Sequence, residues 1–278
     1  MSTRALSIAA LALGVALAAA GGAVARSQAT SITVVTTMTT GEETPTPSGN
    51  VAAARGTFTA TVTRSDTGAV VDWQMTFDGL TGAARAAHIH VAPPGQPGPV
   101  VVPLCGPCQA PASGTANVTP ALLASLQTGG AYVNVHTAAN AAGEIRGQLA
   151  VVATTVTALT ARQEVPRPKG TVGRARASFR AAVTKSGTTG TLGWRLSYSG
   201  LTGRAVAAHI HIGPQGRSGP VAVPLCGPCR SGVSRTTRLT PSVLAALEAG
   251  RAYVNVHTPR NPAGEVRGQI AAVALSVS

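Results

Sequence analysis

Apolar and polar residues alternate with period two in short stretches of this chain, and each stretch ends in a cluster of Gly, Pro, Asn or Asp. Such alternation marks half-buried strands, because successive side chains of an extended backbone point to opposite faces. In the first half, residues 55–63, 70–77, 86–91, 100–104, 131–136 and 144–151 read as strands. The stretch "TPALLASLQTGG" breaks the period. There Thr119 suits an N-cap, Pro120 the first helical position and Gly129 a left-handed close, so a helix of one or two turns is predicted. Thr240, Pro241 and Gly250 repeat this grammar in the second half. Six or seven strands with one short helix predict an all-β, Greek-key-like sandwich or barrel.

The second half copies the first. Phe58 matches Phe179, Trp73 matches Trp194, His88 matches His209, Cys105 matches Cys226, Tyr132 matches Tyr253 and Arg146 matches Arg267, always 121 positions apart. A register that never slips over so long a unit means duplication of a whole domain, since solenoid repeats are far shorter. Two tandem domains of one fold are expected, at residues 33–151 and 154–278. The join near 150–155 is short and apolar, so strand should run on into strand.

The period-two rule also sorts the chemistry. "AAHIH" occurs at 86–90 and again at 207–211. His88 and His90 share one face while Ile89 takes the other. In "YVNVHT" Val133 and Val135 go inward and leave Asn134 and His136 on the non-core side; in "GEIRGQL" Ile145 and Leu149 go inward and leave Glu144, Arg146 and Gln148. If these strands are neighbours, each repeat carries a polar patch holding three of the six histidines. His209, His211, His257, Glu265 and Arg267 repeat it. Imidazole is a good ligand for copper and zinc, and copper(II) wins most competitions at nitrogen sites. The plainer reading is that the rings hydrogen-bond Glu144, Asn134 or backbone carbonyls and order the sheet surface.

Composition changes the picture in three places. Arg4, the apolar run 5–20 and the small residues Ala23-Val24-Ala25 read as an export signal over residues 1–25, with no further run apolar enough to span a membrane. Outside the cytoplasm, the four cysteines at "LCGPC" are expected as two local disulfides, Cys105 to Cys108 and Cys226 to Cys229. The CGPC string also occurs in thioredoxins, but the residues after it cannot begin a long helix; a Cys2His2 zinc site is a third option. Charge divides the copies. Residues 51–150 are neutral, whereas 171–278 hold thirteen basic residues against Glu248 and Glu265, a net of +11. That field favours a polyanionic partner at the cell surface, while 3% aromatic content argues against nucleic-acid reading.

The order AAHIH, a Gly/Pro loop ending "GPVVVPLC", a short helix, "YVNVHT" and "GEIRGQL" resembles the CHRD domain, named for chordin. The second copy shows "TARQEVP", "GLTGRAVAAHIHIGPQGRSGPVAV" and "YVNVHTPRNPAGEVRGQI"; the first departs at its start, where "TTGEETPTPSGN" stands in place of the EVP pattern. The resemblance implies an extracytoplasmic β-sandwich binding module, of the kind that in chordin belongs to a growth-factor antagonist. The His-x-His strand, the later "VH" and the closing "AGxxR" are also similar to the copper-site strands of Cu/Zn superoxide dismutases. That likeness implies His88, His90 and His136 as copper ligands with Arg146 steering an anion, and His209, His211, His257 and Arg267 likewise. The chain lacks the bridging histidine and the zinc loop. A non-enzymatic module, possessing a copper site in each domain and a partner that is a polyanionic polymer or a protein, is therefore expected ahead of a copper-only dismutase-like oxidoreductase.

Overall fold

The computed structural model describes residues 31–65 and 68–276, so the expected export signal lies outside the described residues. The first repeat runs β1 (Ser31–Thr39), β2 (Arg55–Ser65), β3 (Gly68–Asp78), β4 (Ala84–Val91), β5 (Val100–Cys105), β6 (Ala112–Val118), α1 (Pro120–Thr128), β7 (Ala131–Thr137) and β8 (Ile145–Gln148). The second runs β9 (Ala150–Thr160), β10 (Arg176–Ser186), β11 (Thr189–Ser199), β12 (Ala207–Ile212), β13 (Val221–Cys226), β14 (Val233–Leu239), α2 (Pro241–Glu248), β15 (Ala252–His257) and β16 (Val266–Ile270).

Each repeat is an antiparallel sandwich. One layer has the order β1-β2-β3-β6 and the other β5-β4-β7-β8, stitched where Thr39 of β1 pairs with Arg146 of β8. The second repeat matches, with layers β9-β10-β11-β14 and β13-β12-β15-β16 joined through Thr160 and Arg267. The core lies between the layers. Phe58, Trp73, Ile89, Val133, Val135 and Ile145 meet there, and Phe179, Trp194, Ile210, Val254, Val256 and Val266 meet in the copy. Phe58 stacks on Trp73 with ring centroids 6.4 Å apart, and Phe179 on Trp194 at 6.3 Å. Side chains of this size contribute roughly 1.5–3 kcal/mol each when fully buried.

Both helices end as their sequences dictate. The Thr119 hydroxyl accepts from the Leu122 backbone N–H and Gly129 closes α1 at φ +71°; Thr240 caps α2 in the same way. The expected strands are all present, with three differences. The stretch at 144–151 divides after Gln148, because β8 stays beside β7 while the chain turns at Leu149 to lie along β1. Strand β1, Ser31–Thr39, is not among the expected strands and begins two residues before the expected start of the first domain; its Ile32, Val34 and Met38 are buried. Strand β6, "ASGTANV", was not expected at all. Its small residues hide the alternation, and one of them is small for cause: a Cβ on Gly114 would lie 3.0 Å from the Trp73 ring.

The join is a single strand. Val151 and Val152 of β9 pair with Val34 and Thr33 of β1 on one edge and with Lys185 and Thr184 of β10 on the other. One ladder thus runs from the first repeat into the second. The two pairs Cys105–Cys108 and Cys226–Cys229 are disulfides. They close turns at the ends of β5 and β13, and no helix starts at either, which removes the thioredoxin-like alternative.

Candidate metal centre

Strands β4, β7 and β8 lie side by side, with His88 opposite Asn134 and Asn134 opposite Arg146. Alternation then does the rest. Ile89, Val133, Val135 and Ile145 point into the core, and His88, His90, Tyr132, Asn134, His136 and Arg146 point the other way. That face is roofed by the loop between β4 and β5, so His90 is only 7% exposed although it faces away from the core.

Two hydrogen bonds to carbonyls fix how the rings present themselves. His90 Nδ1 donates to the Gly98 carbonyl at 2.8 Å and His136 Nδ1 to the Ala141 carbonyl at 3.0 Å. A carbonyl only accepts, so in the neutral rings Nδ1 carries the proton and Nε2 offers its lone pair. His88 Nδ1 then donates to His136 Nε2, 3.0 Å away. His90 Nε2 is buried with no hydrogen-bond partner. One nitrogen from each of the three rings lies within 4.8 Å of the others, and the set His209, His211 and His257 has the same arrangement. In the copy His211 Nδ1 bonds Gly219 O, His257 Nδ1 bonds Pro262 O, and His211 Nε2 is again unpartnered.

Burial, aided by repulsion from the neighbouring rings, lowers His88 and His209 to about 4. Burial also lowers His90, His136 and His257. These five rings are therefore held as neutral imidazoles at neutral pH, the form that binds metal. No cysteine joins either cluster, so the Cys2His2 alternative falls away.

Arg146 and Arg267 are each 1% exposed. Arg146 Nη1 donates to Gln96 O at 2.9 Å and Nη2 to Pro93 O at 3.2 Å, while its guanidinium lies 3.5 Å from the centroid of the Tyr132 ring. Tyr132 in turn stacks on His90 at 4.8 Å. In strand order, His90, Tyr132 and Arg146 form one stack that pins the roof loop; Arg267, Tyr253 and His211 repeat it. Each guanidinium is thus buried with its N–H groups on loop carbonyls and supports the neighbouring His90 or His211 ring through the intervening tyrosine.

Glu144 and Glu265 are bonded away from the histidines. Glu144 is fully buried, accepts from the Thr81 N–H at 2.6 Å, from the Thr81 and Thr137 hydroxyls, and from Asn140 Nδ2 at 3.0 Å. Those hydroxyl and amide bonds hold its carboxyl below the ordinary range against the burial that would raise it. Neither the histidines nor Arg146 is among its partners. Glu265 does the same with Thr202, Thr258 and Asn261. These carboxylates fasten the loop after β7 and β15 to the turn after β3 and β11.

The acid at the patch is Glu43, which sequence reasoning passed over. It is 6% exposed, its Oε1 accepts from Thr44 N–H, and its Oε2 lies against Gly143 with no hydrogen-bond partner. Burial raises its pKa, while Thr44, Arg146 and Asn134 pull it back. Asn134 Oδ1 is likewise buried and unpartnered. Glu164, Asn255 and Gly264 reproduce the group, and burial lifts Glu164 to about 7. The signal was present: Glu43-Thr44-Pro45 stands 121 positions before Glu164-Val165-Pro166, so the first copy keeps the glutamate and proline of "EVP" and changes only the residue between them.

No curated protein and no solved structure matches the chain. The CHRD domain family model matches it twice, over residues 34–149 and 155–270. With both repeats covered, the chain belongs to the CHRD-domain family, as a tandem pair.

Proposed function

We propose that the protein is an exported, non-enzymatic binding module in which each domain holds one copper ion and the second domain docks on a polyanion. His88, His90 and His136 would hold the first ion and His209, His211 and His257 the second. The ion would take the place of the proton that His88 Nδ1 shares with His136 Nε2, and His209 Nδ1 with His257 Nε2, while the first ring of each pair keeps its proton on Nε2. The observation that carries the metal reading is the buried Nε2 of His90 and of His211, left without a partner although the opposite nitrogen of each ring is fixed by a carbonyl. An orphaned buried acceptor in both copies, a short reach from two more imidazole nitrogens, is the arrangement a cation completes. Imidazole donors with no thiolate or carboxylate suit copper and zinc, and copper binds such nitrogen sets the more tightly. Three ligands leave one position for a small molecule. Local disulfides and the family's extracellular character support the export reading, and no helix among the described residues is long and apolar enough to cross a membrane.

The test is metal analysis of the purified exported protein under copper-replete conditions, beside the paired variant His88→Ala/His136→Ala. Two coppers per chain, falling to one in the variant, support the reading; copper content unchanged by the variant, or no bound copper, overturns it. A superoxide turnover assay on the loaded protein separates module from enzyme. Turnover that disappears with the copper would favour the oxidoreductase.

A further inference from the structure

Four of the thirteen basic residues in 171–278 share one face. Strands β10 and β11 bury Phe179, Ala181, Leu192, Trp194 and Leu196, so the alternate residues point outward from the sandwich. On that outer face Arg176, Arg180, Arg195 and Arg238 are all exposed. Arg180 sits directly opposite Arg195, an arrangement of like charges that weakens a sheet. Arg176 lies four residues to one side on β10. Arg238 lies to the other side on β14, opposite Thr191. At about 3.3 Å per residue, each of these steps along the strands is roughly 13 Å, so the four guanidinium groups mark an oblique stripe across three strands. Its middle is shallow: Gly193 lies between Ala182 and Thr236, with nothing within 4 Å of where its side chain would be.

The first repeat shows that the fold does not require this charge. The same positions hold Arg55, Thr59, Gln74 and Asn117, and Arg55 is paired with Asp78 at 3.0 Å. In the second repeat Ser199 replaces that aspartate and Gly193 replaces Asp72. The four stripe arginines have no ion pair; among the described residues of the second repeat, the one salt bridge is Lys185 to Glu248. Relative to the first repeat this surface has three more arginines and two fewer carboxylates, over the same aromatic core.

We infer that the outer face of β10, β11 and β14 binds an extended polymer carrying phosphate groups, through Arg176, Arg180, Arg195 and Arg238. This deepens the polyanion part of the proposed function and rests on it. A guanidinium fork matches a phosphate in two-point contact, and side-by-side arginines lose their mutual repulsion once an anion lies between them. The stripe has no aromatic side chain on which a base or a sugar ring would stack, so recognition is of the oxyanions along a slender strand.

The test is binding of long-chain inorganic polyphosphate to the full chain, followed by fluorescence anisotropy across a salt series. Orthophosphate, single-stranded DNA and a carboxylated polysaccharide serve as comparison arms. Arg180→Gln/Arg195→Gln is compared with Arg204→Gln, a loop arginine. The expected result is polyphosphate binding that falls with salt, at least tenfold weaker in the double variant and little changed in the loop variant, with the slope of log K against log salt reduced by about 1 to 1.5. Both variants lie away from the core, and an unchanged thermal midpoint verifies that they fold. If the wild type binds polyphosphate but the double variant binds equally well, the stripe is not the site although the docking reading stands. Tighter binding of the polysaccharide overturns the phosphate assignment, and tighter binding of the DNA than of polyphosphate overturns recognition through the oxyanions alone. Binding of no polyanion at all overturns the docking reading itself.

Discussion

Gly143 carries a demand that a single methyl group would break. Its φ is +136°, which side chains rarely adopt, and a Cβ there would come within 2.2 Å of Glu43 Oε2. Gly143→Ala is expected to cost about 1–3 kcal/mol in a denaturant titration and to reduce copper in the first domain alone. The buried glutamate beside it has a pH signature. Glu164 is raised from 4.5 to about 7, so its contribution is complete below pH 4.5 and is lost as pH rises through 7. The histidines oppose it: with His88 and His209 lowered from 6.5 to about 4, their contribution is complete above 6.5 and is lost as pH falls toward 4. More histidines are lowered than glutamates raised, so the metal-free protein gains stability from pH 4.5 to 6.5. In Glu164→Gln that climb steepens by about one proton's worth and stability above pH 7 rises, by at most about 3 kcal/mol. Denaturation midpoints that ignore pH in both proteins would contradict the burial of this acid.

At the scale of elements, strand β9 decides how the repeats communicate. Val151 is buried and hydrogen-bonded into a ladder between β1 and β10. Proline there removes a ladder donor from a central strand. Calorimetry should show one unfolding transition in the parent chain and two in Val151→Pro, since β9 gives both repeats a shared edge. The strands themselves were largely legible because aliphatic alternation leaves no second interpretation: Ile89 or Val133 on the wrong face would empty the core. Strand β6 escaped because Gly114 yields its volume to Trp73, and a strand shaped by its neighbour's bulk carries little pattern of its own. The candidate site divides along the same line. His88, His90 and His136 could be grouped by parity within strands, but parity says nothing of what lies over a face. Arg146 was assigned to solvent because its cover, the loop carrying Pro93 and Gln96, comes from fifty residues away. Glu144 shares the parity of Arg146 and still departs, drawn off by Thr81 from a different turn.

For the whole molecule, duplication is an internal control. Two copies share the imidazole triad, the His–Tyr–Arg stack and the buried glutamate, with hydrogen bonds that agree within a few tenths of an ångström. They differ in charge, in part on one outer layer. Copper should stabilise the folded chain by an amount that grows with free metal, about 2.7 kcal/mol per site at a hundred times the dissociation constant. Removing it with a chelator should lower the thermal midpoint of the parent more than that of His88→Ala/His136→Ala. Equal shifts would mean that the first domain contributes no site.

The alternation that buries Phe179 and Ile210 also fixes which way the two kinds of chemistry look. The four stripe arginines sit behind one layer and the imidazoles behind the other, with the aliphatic interior between them. A molecule lying arginine-side down on a charged wall would therefore hold the imidazole side of its second domain toward the surrounding fluid, and anchorage would not compete with metal uptake.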